Sequence, residues 1–326
     1  MEGYCKMCKI CDGRGCVNQI PGPGAKGIGD TAIRNYDKWR DIRVNMDTIC
    51  PNGEIDTSFE IFGKRFAAPF FAGPVGAVNM HYGDKYDDLA YNRILVPACR
   101  EAGIAAFTGD GMDAEVMKSA CLCIKEASGL GVPTIKPWNM EMIKDKIELV
   151  RGSGAFAFAM DVDAAGLPFL KNFQPPAGSK SVKELKEIVR SIDIPFIVKG
   201  IMTVNGALKA KEAGAAAIVV SNHGGRVLDQ CPATAEVLEK IANISGKSMK
   251  VFVDGGIRSG VDVFKAIALG ADGVLIARPY VCAVYQEGAD GVKSYTDKIR
   301  GELADAMAMC GAHKLSDIKR EMVTKY

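Results

Sequence analysis

The apolar run Ile218-Val219-Val220 leads straight into Ser221-Asn222-His223-Gly224-Gly225-Arg226. The chain has three histidines, and only this one sits between a strand-like run and a glycine turn. An imidazole there either exchanges protons near neutral pH or merely bonds the backbone and caps the strand. Lys199 ends another apolar run, "PFIVKG". An ammonium so placed is costly unless it meets an anion or acceptor, and a salt bridge closing the fold is the plain alternative. A third feature is the turn Asp254-Gly255-Gly256-Ile257-Arg258, which joins an apolar run to a helical pattern, with Ala277-Arg278-Pro279 ending the next run. Glycine-turn N–H groups, a helix start and a nearby arginine together make a phosphate site.

Four of the eleven cysteines, Cys5, Cys8, Cys11 and Cys16, crowd into "CKMCKICDGRGC". Thiolates two residues apart can grip one metal centre, and the run resembles the start of a ferredoxin motif and the zinc repeat of J-domain chaperones. An iron–sulfur or zinc centre is the expectation, with redox-active or incidental thiols as the alternative. The odd total and the apolar settings of Cys99, Cys282 and Cys310 fit reduced thiols better than a disulfide framework. Cys121 and Cys123 fall in an apolar helical pattern and are expected to be core.

The elements that must carry these groups recur down the chain. In "ACREAGIAAFTGD", "LVRGSGAFAFAMDVD", "KAKEAGAAAIVVSNHGG" and "KAIALGADGVLIARP" a helical pattern ends at Gly103, Gly154, Gly214 or Gly270 and an apolar run follows. Glycine there suits a left-handed helix cap, and continuous apolar runs suit parallel strands buried on both faces. Eight strands are predicted, near 69–75, 104–109, 133–137, 155–162, 195–200, 216–221, 250–254 and 273–277, separated by helices. The pattern is that of an α/β (β/α)8 TIM barrel over 31–326 behind a Cys-rich N-terminal segment, 1–30. "DKWRDIRVNM" reads as a helix that closes the barrel bottom or leads into it.

In such a barrel the polar residues at strand C-termini face the active site. They are Pro74-Val75-Gly76, Thr108-Gly109-Asp110, Thr134 and Lys136, Asp161 and Asp163, Lys199, Ser221 to His223, Asp254 to Gly256, and Ala277 to Pro279. Arg278 after the eighth strand places the phosphate turn where barrels commonly hold one.

A net charge of +2 leaves no footprint for nucleic acid or an anionic membrane. No apolar run approaches the ~18 residues of a membrane span, and the N-terminus lacks the apolar core of a secretory signal. Hydrophobic content of 48% with 25% charge fits a globular protein, expected in the cytoplasm.

The ordered set "IVKG…SNHGGRVLD…VFVDGGIRSG…ALGADGVLIARP" resembles the FMN-dependent 2-hydroxy-acid oxidase and dehydrogenase family, closely over 190–285 and more loosely over 35–190. The resemblance implies FMN as cofactor and oxidation of an organic acid at its α-hydroxyl. Lys199 would then lie by the flavin and stabilise its reduced charge. His223 would act as the base, Asp163 would pair with the imidazole and favour its protonated form, and Arg226 would bind the substrate carboxylate. Asp254, Gly255, Gly256, Arg258, Ala277 and Arg278 would hold the ribityl chain and phosphate. Pro74, Val75 and Gly76 would line the ring, with Thr108, Thr134, Asp161 and Ser221 as polar neighbours. A homo-oligomer, tetrameric in the family, is implied as well.

The chain departs from that pattern at the substrate. Lys136 stands where the family has a tyrosine and Thr134 where it has glutamine. The N-terminal tyrosine has no counterpart, and "DAAGLPFLK" replaces a segment that carries an arginine. Lys136 becomes the replacement carboxylate ligand and Trp138 a pocket wall. Gly76, where family oxidases usually carry alanine, points to a dehydrogenase whose electron acceptor is not oxygen. The competing readings are a flavin-barrel enzyme resembling isopentenyl diphosphate isomerase and a flavin or metal redox sensor. His81 and His313 are expected at the surface and in a structural role, respectively. Asp110 would touch substrate or cap a helix.

Overall fold

This computed structural model describes residues 4–326. Eight parallel strands close into a barrel in sequence order: β1 (Phe70–Ala72), β2 (Ala106–Thr108), β3 (Gly131–Ile135), β4 (Phe158–Asp161), β5 (Phe196–Ile201), β6 (Ala217–Val220), β7 (Lys250–Val253) and β8 (Gly273–Ile276). β8 pairs with β1, Leu275 opposite Phe71, and so removes any free edge. Every residue of β2, β4, β6 and β8 is buried, which is why these strands read as continuous apolar runs. The four expected glycine caps have positive φ: Gly103 (78°), Gly154 (67°), Gly214 (90°) and Gly270 (97°). β3 begins two residues earlier than expected, so Lys136 stands just beyond its end.

Three rings, Phe71, Phe107 and Phe252, meet inside the barrel with centroids 6.0–6.2 Å apart. Below them a hairpin, Phe59–Ile61 with Lys64–Phe66, plugs the N-terminal mouth, Phe66 lying edge-on to Phe71 at 4.9 Å. Truncating such a ring to alanine typically costs about 3–5 kcal/mol.

Helix α1 (Asp30–Arg40) does not close the bottom, the first of the two roles expected for it. It packs at the opposite end, against the turns leaving β6 and β7. Asn35 and Asn222 exchange paired amide hydrogen bonds (2.7 and 3.0 Å), and Trp39 Nε1 donates to Gly255 O at 2.8 Å. The amphipathic pattern gave the helix, but its docking site lies roughly two hundred residues away and left no local signal. The long helix α2 (Arg278–Ala308) follows β8 directly. Among the described residues no helix is long and apolar enough to cross a membrane.

Candidate active site

A cleft of about 1120 Å³, open mouth included, lies at the C-terminal ends of the strands. Of the residues singled out in the sequence, Pro74, Val75, Gly76, Lys136, Lys199, His223, Arg226, Asp254, Gly255, Gly256, Arg258, Ala277 and Arg278 line it. Thr108, Thr134, Asp161, Asp163, Ser221 and Trp138 do not.

His223 is held in an unusual backbone. With Gly224 and Gly225 it forms three consecutive left-handed residues (φ 54°, 63° and 77°), a strained arrangement that pushes the imidazole out of the strand line. Ser221 supports this turn by accepting the His223 N–H at 3.1 Å; it serves the turn rather than the cleft wall. Asp163 Oδ1 lies 3.0 Å from His223 Nδ1, which leaves Nε2 for chemistry. Burial pushes the His223 pKa down, Asp163 pulls it up and Lys199 pushes it down again; the net direction is below the ordinary value. Burial thus outweighs the pull of Asp163 in the net direction, which favours the neutral imidazole that a base requires. Asp163→Asn removes the raising influence, so the acid limb of kcat/KM should move to lower pH while kcat falls about a hundredfold. A pH–rate profile of both proteins checks this, and a limb moving upward would contradict it.

Beside the dyad lies a buried chain of alternating charge. Lys136 Nζ meets Asp161 Oδ2 at 2.7 Å, and Lys199 Nζ meets Asp161 Oδ1 at 2.9 Å and Asp254 Oδ2 at 3.5 Å. Burial raises the Asp161 carboxyl, but Lys136, Lys199 and His223 outweigh it and hold it well below the usual carboxylate range. Burial likewise lowers Lys199, and Asp161, Asp254 and Asp163 reverse it, so the ammonium stays charged. The salt-bridge role for Lys199 and its place in the cleft are both real. Lys136 is correspondingly bound to Asp161 rather than free for a carboxylate.

Arg226 is also partly engaged. Its Nη1 donates to Gly22 O (2.6 Å) and Gly24 O (2.9 Å), so "PGPG" crosses the cleft mouth as a strap. His81, expected at the surface, is buried in the cleft wall and accepts the Gly22 N–H on Nδ1 at 2.9 Å. Burial, with Arg226 and Lys136 nearby, pushes its pKa down to about 3. Lys26 ties the strap's far end to Gly166 O and Val227 O (2.6 and 2.7 Å). Tyr82 adds a phenol to the cleft wall, a group missed in the sequence although it follows β1 in "MHYG".

Trp138 does not line the cleft. It is fully buried and donates Nε1 to Asp110 Oδ2 at 2.7 Å. Asp110 touches neither substrate space through its carboxylate nor a helix N-terminus. It accepts from Trp138, from the Lys136 and Gly111 backbone N–H groups, and from Lys146 Nζ at 2.6 Å. It is a hub joining the loops after β2 and β3. His313 is structural, its Nε2 lying 3.1 Å from Pro51 O.

The glycine turn is built against α1. A Cβ on Gly256 (φ 80°) would sit 2.0 Å from Asn35 O, whereas one on Gly255 would meet only the Asn35 and Thr234 side chains at 3.0 and 3.1 Å. Gly256→Ala is expected to lower stability by about 3 kcal/mol or more, and Gly255→Ala by less; urea melts of both decide. At this end Arg278 Nη1 is buried and unpartnered, as are Asp254 Oδ1 and the hydroxyls of Thr108 and Thr134. Arg258, expected on the phosphate, spends Nε on Cys11 O (2.8 Å), Nη1 on Ile257 O (2.6 Å) and Nη2 on Cys11 Sγ (3.6 Å).

The four N-terminal thiols do not converge. Cys5 Sγ faces Cys282 Sγ at 3.8 Å, Cys11 faces Arg258, Cys16 faces Gly13 O, and Cys8 is exposed. Among the described residues the only trio with ligand atoms within 4.8 Å is Asp161, Asp163 and His223. Among the described residues nothing supports the expected four-thiolate iron–sulfur or zinc centre: Cys5, Cys11 and Cys16 each face a different neighbour. The hydrogen bond with Cys282 holds the Cys5 pKa down and pushes that of Cys282 up. Cys121 and Cys123 are buried, as expected.

The unpartnered polar atoms fit a flavin mononucleotide. Arg278 with the Gly255–Gly256 turn suits its phosphate and Asp254 its ribityl hydroxyls. Backbone of 74–76 in the cleft wall suits its ring. Fold and site thus define a mononucleotide-binding (β/α)8 barrel oxidoreductase. Residues 23–171 and 171–325 match the family model described as FMN-dependent dehydrogenase, and the chain belongs to that family. Peroxisomal (S)-2-hydroxyacid oxidase GLO3 of Arabidopsis thaliana is 42% identical, over 90% of this chain and 88% of that one. Glycolate oxidase 1 of Oryza sativa subsp. indica is 44% identical over a shorter stretch, 43% of this chain and 38% of that one. A crystal structure of mandelate oxidase with (S)-2-phenylpropionate superposes with a TM-score of 0.77 at 28% identity, covering 92% and 91% of the two chains. A mandelate oxidase mutant with a C4a-OH-FMN adduct gives 0.76 at 28%, covering 91% and 92%.

Proposed function

We propose that this protein oxidises the α-hydroxyl of a 2-hydroxy acid to the 2-oxo acid. The observation that carries the reading is the His223–Asp163 pair opening into one cleft with Arg226 and the glycine turn. FMN, when bound, supplies the two-electron acceptor. The chain's own groups do the rest. Arg226, its Nη1 fixed on the strap, offers its remaining N–H donors to the substrate carboxylate. His223 Nε2 takes the proton, and Asp163 stabilises the imidazolium that results. Lys199 holds a fixed positive charge at the cleft. Tyr82 supplies a phenol in place of the family's tyrosines.

The reading of a dehydrogenase with an acceptor other than oxygen rests on Gly76. That glycine has a packing reason too: a Cβ there would lie 2.9 Å from Asp110 O. The relatives named above are oxidases, so the test must include oxygen. FMN-loaded protein is mixed anaerobically with a panel of 2-hydroxy acids. At least one should bleach the flavin's visible absorption and yield a 2-oxo acid. Readmitted oxygen is then compared with a quinone or dye; slow recovery with oxygen and fast recovery with the dye is the expected result. If no acid bleaches the flavin, the proposal fails.

A further inference from the structure

Two thiols lie together at the cofactor end of the cleft without any part in the chemistry above. Cys282 sits one helical turn beyond Arg278 on α2, on the same face, and its Sγ is 3.8 Å from Cys5 Sγ. Both are partly exposed, in contrast to the buried Cys99, Cys121 and Cys123. The segment carrying Cys5 is held at intervals around the cleft. Tyr4 Oη reaches Asp84 at 3.4 Å, Cys11 O accepts from Arg258 at 2.8 Å, and Gly22 O accepts from Arg226 at 2.6 Å. Arg258 is shared by the main cleft and a second, more open hollow lined by Cys282, Cys8 and Cys11. A small oxidant thus has a route to Cys282 that does not pass the substrate.

We propose that Cys5 and Cys282 form a reversible redox clasp, whose disulfide fastens the N-terminal segment across the arginine end of the cleft and retains the cofactor. Two thiols and one hydrogen peroxide give one disulfide and two waters. The sulfurs lose two electrons and two protons, the peroxide O–O bond breaks, and a dithiol reverses the step by exchange. Closing the pair from 3.8 Å to an S–S bond of about 2.05 Å asks for a shift of only about 2 Å. No other pair of thiols comes as close among the described hydrogen bonds. The retention half of this proposal rests on the reading that Arg278 and the glycine turn hold the FMN phosphate; the disulfide half does not.

The test uses FMN-loaded full-length protein, reduced with dithiothreitol or treated with stoichiometric hydrogen peroxide. Peptides mapped without reduction should show Cys5 joined to Cys282. FMN release on dilution should slow about tenfold, because the N-terminal segment carrying Cys5 can no longer swing away. The slowing should vanish in Cys5→Ser and in Cys282→Ser, each checked for fold by its flavin spectrum. A Cys8–Cys11 link instead, oxidised thiols without a cross-link, or an unchanged release rate would overturn the clasp. Stoichiometric iron or zinc in the reduced protein that is lost in Cys5→Ser would overturn it too. If the cross-link forms in a protein that takes up no FMN, the disulfide stands and the cofactor reading falls.

Discussion

Replacing His223 with glutamine should lower turnover about a thousandfold while leaving the flavin bound and the barrel folded. Glutamine keeps a hydrogen-bonding tip, and the left-handed turn is set by the backbone of His223, Gly224 and Gly225 and by Ser221. What is lost is the proton acceptor alone. The loss should appear in the rate of anaerobic flavin reduction, measured by stopped flow, with the dissociation constant of a non-reacting carboxylate changed little, since Arg226 remains. Alanine at 223 would be a poorer test: it removes the hydrogen-bonding partner of Asp163 Oδ1 along with the proton acceptor.

The second large effect lies in the charge chain. Asp161→Asn should destabilise the protein by about 3–5 kcal/mol, because two buried ammonium groups lose the carboxylate between them. Lys199 keeps Asp254 at 3.5 Å, whereas Lys136 keeps no anion. Adding Lys136→Met should therefore restore a good part of the loss, with a coupling of about 1–3 kcal/mol in a double-mutant cycle. Denaturant melts of the four proteins measure it, and simple additivity would refute the pairing. The pH dependence has a definite sign. Asp161 is depressed in the folded state, so its contribution is fully present above an unfolded pKa of about 3.9 and is lost only in stronger acid. Wild type should consequently lose more stability on acidification than Asp161→Asn does.

The barrel was legible because its signals are local and repeated: a cap glycine and then an apolar run four times over, with four further apolar runs set between helical patterns. His223, Lys199 and the Gly255–Gly256 turn were legible for the same reason, each being a polar group at the end of a strand. What escaped was pairing between groups distant in sequence. Lys136 and Asp161 lie on neighbouring strand ends, and only the β3–β4 register sets Lys136 against a carboxylate instead of a substrate. His81 was misplaced because the strap that buries it comes from residues near 22. Trp138 sits beside polar Lys136 and Pro137, yet its ring turns inward to Asp110. The cysteine spacing suggested one centre, but a spacing says nothing of Cys282, which claims Cys5 from the far end of the chain.

The docking of α1 also bears on how the molecule comes into being. Asn35 finds Asn222 across 187 residues, and Trp39 finds Gly255 across 216. At a synthesis rate of about 5–20 residues per second, a ribosome needs about 10–40 s to deliver the second partner after the first. During that interval the α1 face made by Thr31, Ala32, Asn35 and Trp39, all buried in the finished protein, has nothing to cover it. The half-made chain therefore carries an adhesive stripe, and the cleft is complete only after Arg278, beyond the eighth strand, has left the tunnel. Catalytic competence arrives near the end of synthesis, as one late event rather than by degrees.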